Sequence, residues 1–110
     1  MSGIRMKAGD ILLIDFPFSD LSQQKRRPVL VLKTSERFSD FICIAITSRK
    51  TFSHAIEVSN SDLEKGSIPK TSWIRYDKIF TLSSSTVSMT IGSLKDEKRK
   101  QVVQLLCADL

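Results

Sequence analysis

The chain holds a single histidine, His54. A protein metal centre needs several imidazole, thiolate or carboxylate donors at set spacings, and no Cys/His spacing of that kind occurs, so neither a metal nor any other cofactor is expected. Cysteine is nearly as scarce. Cys43 and Cys107 each lie in an apolar stretch; they read as buried free thiols of a reducing compartment rather than as a disulfide. No apolar run approaches the ~20 residues of a membrane span. Residues 1–10 contain no apolar segment of the kind that marks a secretory signal. These two gaps point to a cytoplasmic protein without a membrane partner. Repeats, linkers and low-complexity stretches are also missing, apart from the serine triplet 83–85. At 110 residues the chain is expected to form one domain, 1–110, large enough for a real core.

What is present is positive charge. The net charge is +5 and the isoelectric point lies near 9.5, which favours an anionic partner such as nucleic acid or an acidic protein segment. The cations fall into three groups: Lys25-Arg26-Arg27, Arg49-Lys50, and Lys95 with Lys98, Arg99 and Lys100. The first two adjoin the ends of predicted strands.

The stretch Lys25 to Leu32 organises the rest. Pro28 has a fixed φ and no N–H, which suits the first residue of a strand, and it pushes Arg27 into an extended conformation. Val29-Leu30-Val31-Leu32 is apolar throughout, the pattern of a strand buried on both faces. Arg27 therefore stands where a polar loop becomes a rigid strand, aimed by the scaffold with its head near water. Other strands are predicted over Asp10–Phe16, Pro28–Lys33, Phe41–Thr47, His54–Val58, Trp73–Leu82 and Val87–Ile91, the last closed by Gly92. Asp62 to Lys65 suggests one helical turn ending at Gly66. From Asp96 the period changes: Val102, Leu105, Leu106 and Leu110 mark one helix face, and Asp96 and Glu97 suit its N-terminus. The expected architecture is mostly β, a small bent antiparallel sheet or half-open barrel with the terminal helix over one opening.

Four residues stand out as carriers of chemistry. A guanidinium at Arg27 can grip a phosphate through two parallel N–H···O bonds, or simply be a solvated surface group. Thr47 and Ser48 end the third strand. If the second and third strands pair antiparallel, Thr47 lies beside Arg27, where its hydroxyl either donates to a phosphate oxygen or satisfies local backbone. Arg75 and Asp77, two apart on a strand, share a face and form either an acid–base pair or a plain ion pair. Trp73 and Tyr76 either stack on bases or pack in the core, and the lone His54 reads as structural.

In this order and spacing, Gly9-Asp10-Ile11, Arg27-Pro28-Val29-Leu30-Val31-Leu32, Ile46-Thr47-Ser48, Ile74-Arg75-Tyr76-Asp77-Lys78-Ile79 and Gly92-Ser93-Leu94 resemble the MazF/PemK toxins of type II toxin–antitoxin modules over nearly the whole chain. The resemblance implies a small SH3-like antiparallel β-barrel of five to seven strands with a C-terminal α-helix, and a homodimer. It implies a metal-independent, sequence-preferring endoribonuclease on single-stranded RNA that leaves 2′,3′-cyclic phosphate and 5′-hydroxyl ends, and a cognate acidic antitoxin. The family's catalytic positions fall on Arg27, Thr47, Arg75 and Asp77. Lys25, Arg26, Ser48, Arg49, Lys50 and Asp20 are the RNA-binding candidates. The first loop departs from the family: Leu21-Ser22-Gln23-Gln24 stand where a glutamate or histidine is common, and Asp20 is the nearest carboxylate. Because arginine is effectively never deprotonated, Arg27 is assigned to stabilising phosphorane charge, Asp77 to the base role, and Thr47 and Arg75 to donating hydrogen bonds. Phe18, Phe38 and Phe80 are candidates for a dimer surface.

Two readings compete with the enzyme: a non-catalytic gyrase-binding toxin like CcdB, which needs no Arg27/Thr47 pair, and a plain nucleic-acid-binding barrel, which binds RNA or DNA in a salt-dependent way without turnover.

Overall fold

The computed structural model describes residues 6–16, 25–35, 39–50 and 53–110. Seven strands form one antiparallel sheet in the order β4-β6-β3-β2-β1-β7-β5: β1 Asp10–Phe16, β2 Lys25–Thr34, β3 Asp40–Thr47, β4 Ala55–Val58, β5 Leu63–Gly66, β6 Ser72–Ser83 and β7 Val87–Leu94. The helix α1 follows as Asp96–Asp109. The expected barrel-like sheet with a terminal helix is the observed one.

The sheet curls, and its core shows why. One buried cluster contains Ile11 of β1, Leu30 of β2, Ile44 and Ile46 of β3 and Ile74 of β6. It also contains Val58 of the edge strand β4, Leu63 of the opposite edge strand β5, and Val102 of α1. Residues from the two opposite edges of a seven-stranded sheet meet in one cluster only if the sheet closes on itself. A second cluster, Leu12, Ile14, Val29, Val31, Phe41, Cys43 and Val87, takes the alternate residues of the same strands. Strands β1 to β3 are thus covered on both faces, which is the physical reason for their unbroken apolar runs. Both edge strands are short, four residues each, and so offer little open ladder.

Five expectations are corrected. Leu63–Gly66 is a strand; only Asn60–Asp62 makes a 3-10 turn, with Ser59 and Asp62 forming a reciprocal capping box. Gly66 (φ 74°) and Gly92 lie against each other, and a Cβ on Gly66 would sit 2.0 Å from the Ile91 carbonyl oxygen. That contact makes Gly92 an interior residue of β7 rather than its end. Cys43 is buried, with burial pushing its thiol up to about 12, but Cys107 is exposed on α1, off the face marked by Val102. Leu110 is 86% exposed, so the inward face of α1 is carried by Val102 with Leu106 packed on the core. Strand β4 starts at Ala55; His54 has a left-handed φ of 55°, and its Nδ1 lies 2.6 Å from Asp109 at the end of α1.

Candidate functional site

The site grows out of the β2–β3 ladder. Val29 pairs with Ala45 and Leu30 with Ile44; continuing that register two residues sets Arg27 opposite Thr47. On the other side of β3, Ala45 pairs with Arg75 and Thr47 with Trp73. Alternation divides the side chains. Leu30 and Ile46 face the curled core, so Pro28, Arg26 and Ser48 share that side, while Arg27, Thr47 and Arg75 share the side of Val29.

Two cavities meet at this ladder end. The larger, about 410 Å³, is lined by Arg26, Arg27, Pro28, Thr47, Ser48 and Lys70 together with apolar residues of β1, β3 and β7. The smaller, about 280 Å³, is lined by Arg27, Pro28, Thr47, Arg75, Lys78 and Phe80 with β2 and β3 backbone neighbours. Arg27-Pro28 and Ile46-Thr47 belong to both, so the Arg27/Thr47 pair is a ridge between two hollows. Among the described residues, no carboxylate lines either one. Cations in concave, partly apolar walls without compensating acid attract anions more strongly than the same cations on a flat surface.

Thr47 is held by its own chain: its Oγ1 accepts the Arg49 N–H at 3.1 Å. This turn fixes the rotamer and leaves the hydroxyl proton for another acceptor. Arg75 and Asp77 form a two-point pair, Nε to Oδ1 at 3.2 Å and Nη2 to Oδ2 at 2.9 Å. Desolvation pushes the Asp77 carboxyl up, but the hydrogen bond and charge of Arg75 more than offset it and hold the group below the usual carboxylate value. Asp77 is therefore ionised near neutral pH; it is paired with Arg75 and is not among the residues lining either cavity.

The remaining candidates divide. Arg26 and Ser48 line the larger cavity; Arg26 also lies 3.6 Å from Asp15, an exposed pair of little energy. Arg49 and Lys50 are exposed beyond Ser48 and line neither hollow. The backbone of Lys25 opens β2. Asp20, the loop 21–24, Phe18 and Phe38 lie outside the described residues. Trp73 is half-buried, and Tyr76 packs on the core cluster with its ring edge-on to His54.

Two cavity cations escaped the sequence reading, Lys70 and Lys78. Lys70 follows Pro69 in a turn-rich stretch with no periodic signal. Lys78 falls in an irregularity of β6: the β3 pairing jumps from Ile44–Ile79 to Ala45–Arg75, so residues 76–78 have no β3 partner. Such a bulge re-aims side chains, and nothing local in the sequence announces it.

Comparison with known proteins places these features in a family. The sequence profile of the PemK-like, MazF-like toxins of type II toxin–antitoxin systems matches residues 7–109. Similar solved structures include an endoribonuclease in complex with its cognate antitoxin from a mycobacterial species (TM-score 0.72, 18% identity, 94% of this chain and 93% of that one). MazE–MazF from Deinococcus radiodurans gives a TM-score of 0.74 at 16% identity, over 94% of each chain. The Mycobacterium tuberculosis toxin MazF-mt6 gives 0.66 at 19% identity, over 90% of this chain and 93% of that one. No curated protein matches the sequence.

Proposed function

The chain belongs to the PemK-like, MazF-like toxins of type II toxin–antitoxin systems, and from that premise we propose that it is a metal-independent, sequence-preferring endoribonuclease acting on single-stranded RNA. The observation that carries the proposal is the ridge: Arg27 and Thr47 line both of two adjoining hollows, to which no carboxylate among the described residues contributes. A phosphodiester on that ridge meets a planar donor fork and a hydroxyl at once.

In this reaction the RNA supplies its own nucleophile. The 2′-hydroxyl oxygen bonds to the adjacent phosphorus, its proton passes to Asp77, and the bond from phosphorus to the 5′ oxygen breaks. The leaving oxygen takes a proton from water at the open rim. The products are a 2′,3′-cyclic phosphate and a 5′-hydroxyl end. Arg27 stabilises the charge that develops on the phosphorane oxygens, where preorganised donors have their largest effect, and Thr47 and Arg75 add hydrogen bonds. Drawing Arg75 toward phosphate loosens its two-point hold on Asp77 and frees a carboxylate oxygen for the 2′-proton. Arg26, Ser48, Arg49 and Lys50 flank the path of the strand, and Lys25 and Asp20 remain RNA-binding candidates from the sequence.

Relatives solved with their antitoxins support an antitoxin partner here too. An acidic segment, with carboxylates in phosphate positions, fits the cationic ridge. A homodimer is the expected state of the free toxin, in the cytoplasm. Among the described residues no helix is long and apolar enough to cross a membrane.

The test is incubation with single-stranded RNAs of varied sequence in EDTA. Fragments ending in cyclic phosphate, with 5′-hydroxyl partners, are expected. Intact RNA at high protein concentration overturns the proposal.

A further inference from the structure

We infer that Lys70 and Lys78 hold the phosphates on either side of the scissile one, each from its own hollow. The inference rests on the ribonuclease reading and assigns the two cavities to opposite flanks of one RNA strand.

The two hollows share the ridge but part on opposite faces of the β2–β3 end. The larger alone takes in Arg26, Ser48 and Ile68 on the core side; the smaller alone takes in Val29, Ala45 and Arg75 on the other. A strand whose central phosphate rests on Arg27 and Thr47 must leave the ridge into one hollow in each direction, and each contains a lysine. Among the described residues neither lysine has a carboxylate partner, whereas Lys98 and Lys100 of α1 both do. Two uncompensated ammonium groups, one per hollow, match a polyanion of regular charge.

Lys70 sits on a pinned platform. The Asn60 side chain brackets Ile68 like a paired strand, accepting its N–H at 2.7 Å and donating to its carbonyl at 3.1 Å. The Ile68 side chain is buried in the core, Pro69 has a fixed φ, and the Ser72 hydroxyl donates to the Lys70 carbonyl at 3.0 Å. A turn built only to connect β5 to β6 needs no such bracing, and bracing reduces the ordering cost when the lysine engages an anion. Lys78 is presented by the three-residue irregularity of β6, which interrupts pairing with β3 beside Arg75. Strand pairing is given up there, and a cation is turned to the smaller hollow.

The experiment uses the full-length protein and four substrates: a dinucleotide containing the cleaved bond, the same extended by one phosphate-bearing nucleotide on the 5′ side, on the 3′ side, or on both. Lys70→Ala is expected to raise KM about tenfold for substrates carrying one of these extensions, and Lys78→Ala for those carrying the other, with kcat nearly unchanged. The bare dinucleotide should not discriminate the variants from wild type, and Lys→Arg at either site should restore most of the loss. Affinities for the matching 2′-deoxy oligonucleotides, which lack the nucleophile, are expected to show the same pairing of lysine with flank. If both substitutions respond to the same extension, or weaken the bare dinucleotide equally, the inference is overturned. A wild-type protein that cuts none of these RNAs contradicts the ribonuclease reading instead, and the deoxy series still decides the assignment of the lysines.

Discussion

Two corners of the molecule carry similar positive charge and treat it differently. At the start of α1, Lys98 lies 3.6 Å from Asp62, Arg99 makes a two-point contact with Asp96 at 2.9 and 3.2 Å, and Lys100 reaches the other Asp96 oxygen at 3.4 Å. Hydrogen bonds from Arg99 and Lys100 hold the Asp96 carboxyl below its usual value. Cations in the first turns of a helix oppose its dipole, and the acid among them offsets that cost. At the β2–β3 end, Arg26, Arg27, Lys70, Arg75 and Lys78 line two hollows, and no acid among the described residues lies in either wall. Asp15 and Asp77 pair there with Arg26 and Arg75 and line neither hollow. Charge in a sequence therefore says little until its setting is known: one cluster is tied to Asp62 and Asp96 on the helix surface, and the other lines concave walls to which no acid among the described residues contributes.

The contrast is broken most severely at Arg27. Arg27→Ala should lower kcat by ~10²–10³, the usual loss for one transition-state donor, while the melting temperature stays put because the side chain is exposed. Expressed in cells, the variant should no longer arrest growth; retained toxicity would favour a gyrase-type target over RNA. Next in size is salt. With about four phosphates engaged by the hollows, log Kobs for a non-cleavable single strand should fall against log salt with a slope of roughly −3, and Lys78→Ala should reduce it by about 0.7. Neutralising Lys98, Arg99 and Lys100 together should leave both slope and cleavage rate within about twofold of wild type and remove up to ~1 kcal/mol of stability. Most of that belongs to Lys98, whose side chain is 15% exposed.

A smaller effect concerns acid. Asp77 and Asp96 both have folded-state values below 3.8, so the unfolded chain binds protons first as pH falls. Their contribution to stability is complete well above pH 4 and is lost as pH drops through the folded values. Denaturation midpoints should be flat above about pH 5 and decline below 4. Arg75→Ala should raise the Asp77 value and shrink its share of that decline, as read by carboxyl NMR titration.

Much of this was legible in the chain. The runs Ile11–Ile14, Val29–Leu32 and Phe41–Ile46 mark strands buried twice over, and Thr47-Ser48 mark where β3 stops, but β2 begins at Lys25 rather than Pro28, because residues 25–27 pair with β1. What escaped depends on contacts between distant segments. Asp62 signals a helix start and does cap a 3-10 turn, yet Leu63 pairs with Leu94 and Gly66 with Gly92, so tertiary pairing overrides the local turn. Leu110 continues the apolar helix face in sequence but is the last residue, past the reach of the core. Lys70 and Lys78 owe their placement to Asn60, eight residues from Ile68, and to a register shift between β3 and β6. Neither leaves a periodic trace.

The central claim is that an RNA strand lies across the Arg27/Thr47 ridge and not on the basic helix. Amide shift mapping with a 2′-deoxy oligonucleotide tests it directly. Shifts should concentrate on the amides of residues 26–27, 46–49, 70–72 and 75–80, with residues 95–100 unmoved. Shifts centred on α1, or saturation by the oligonucleotide without any change at Arg27 and Thr47, would contradict it.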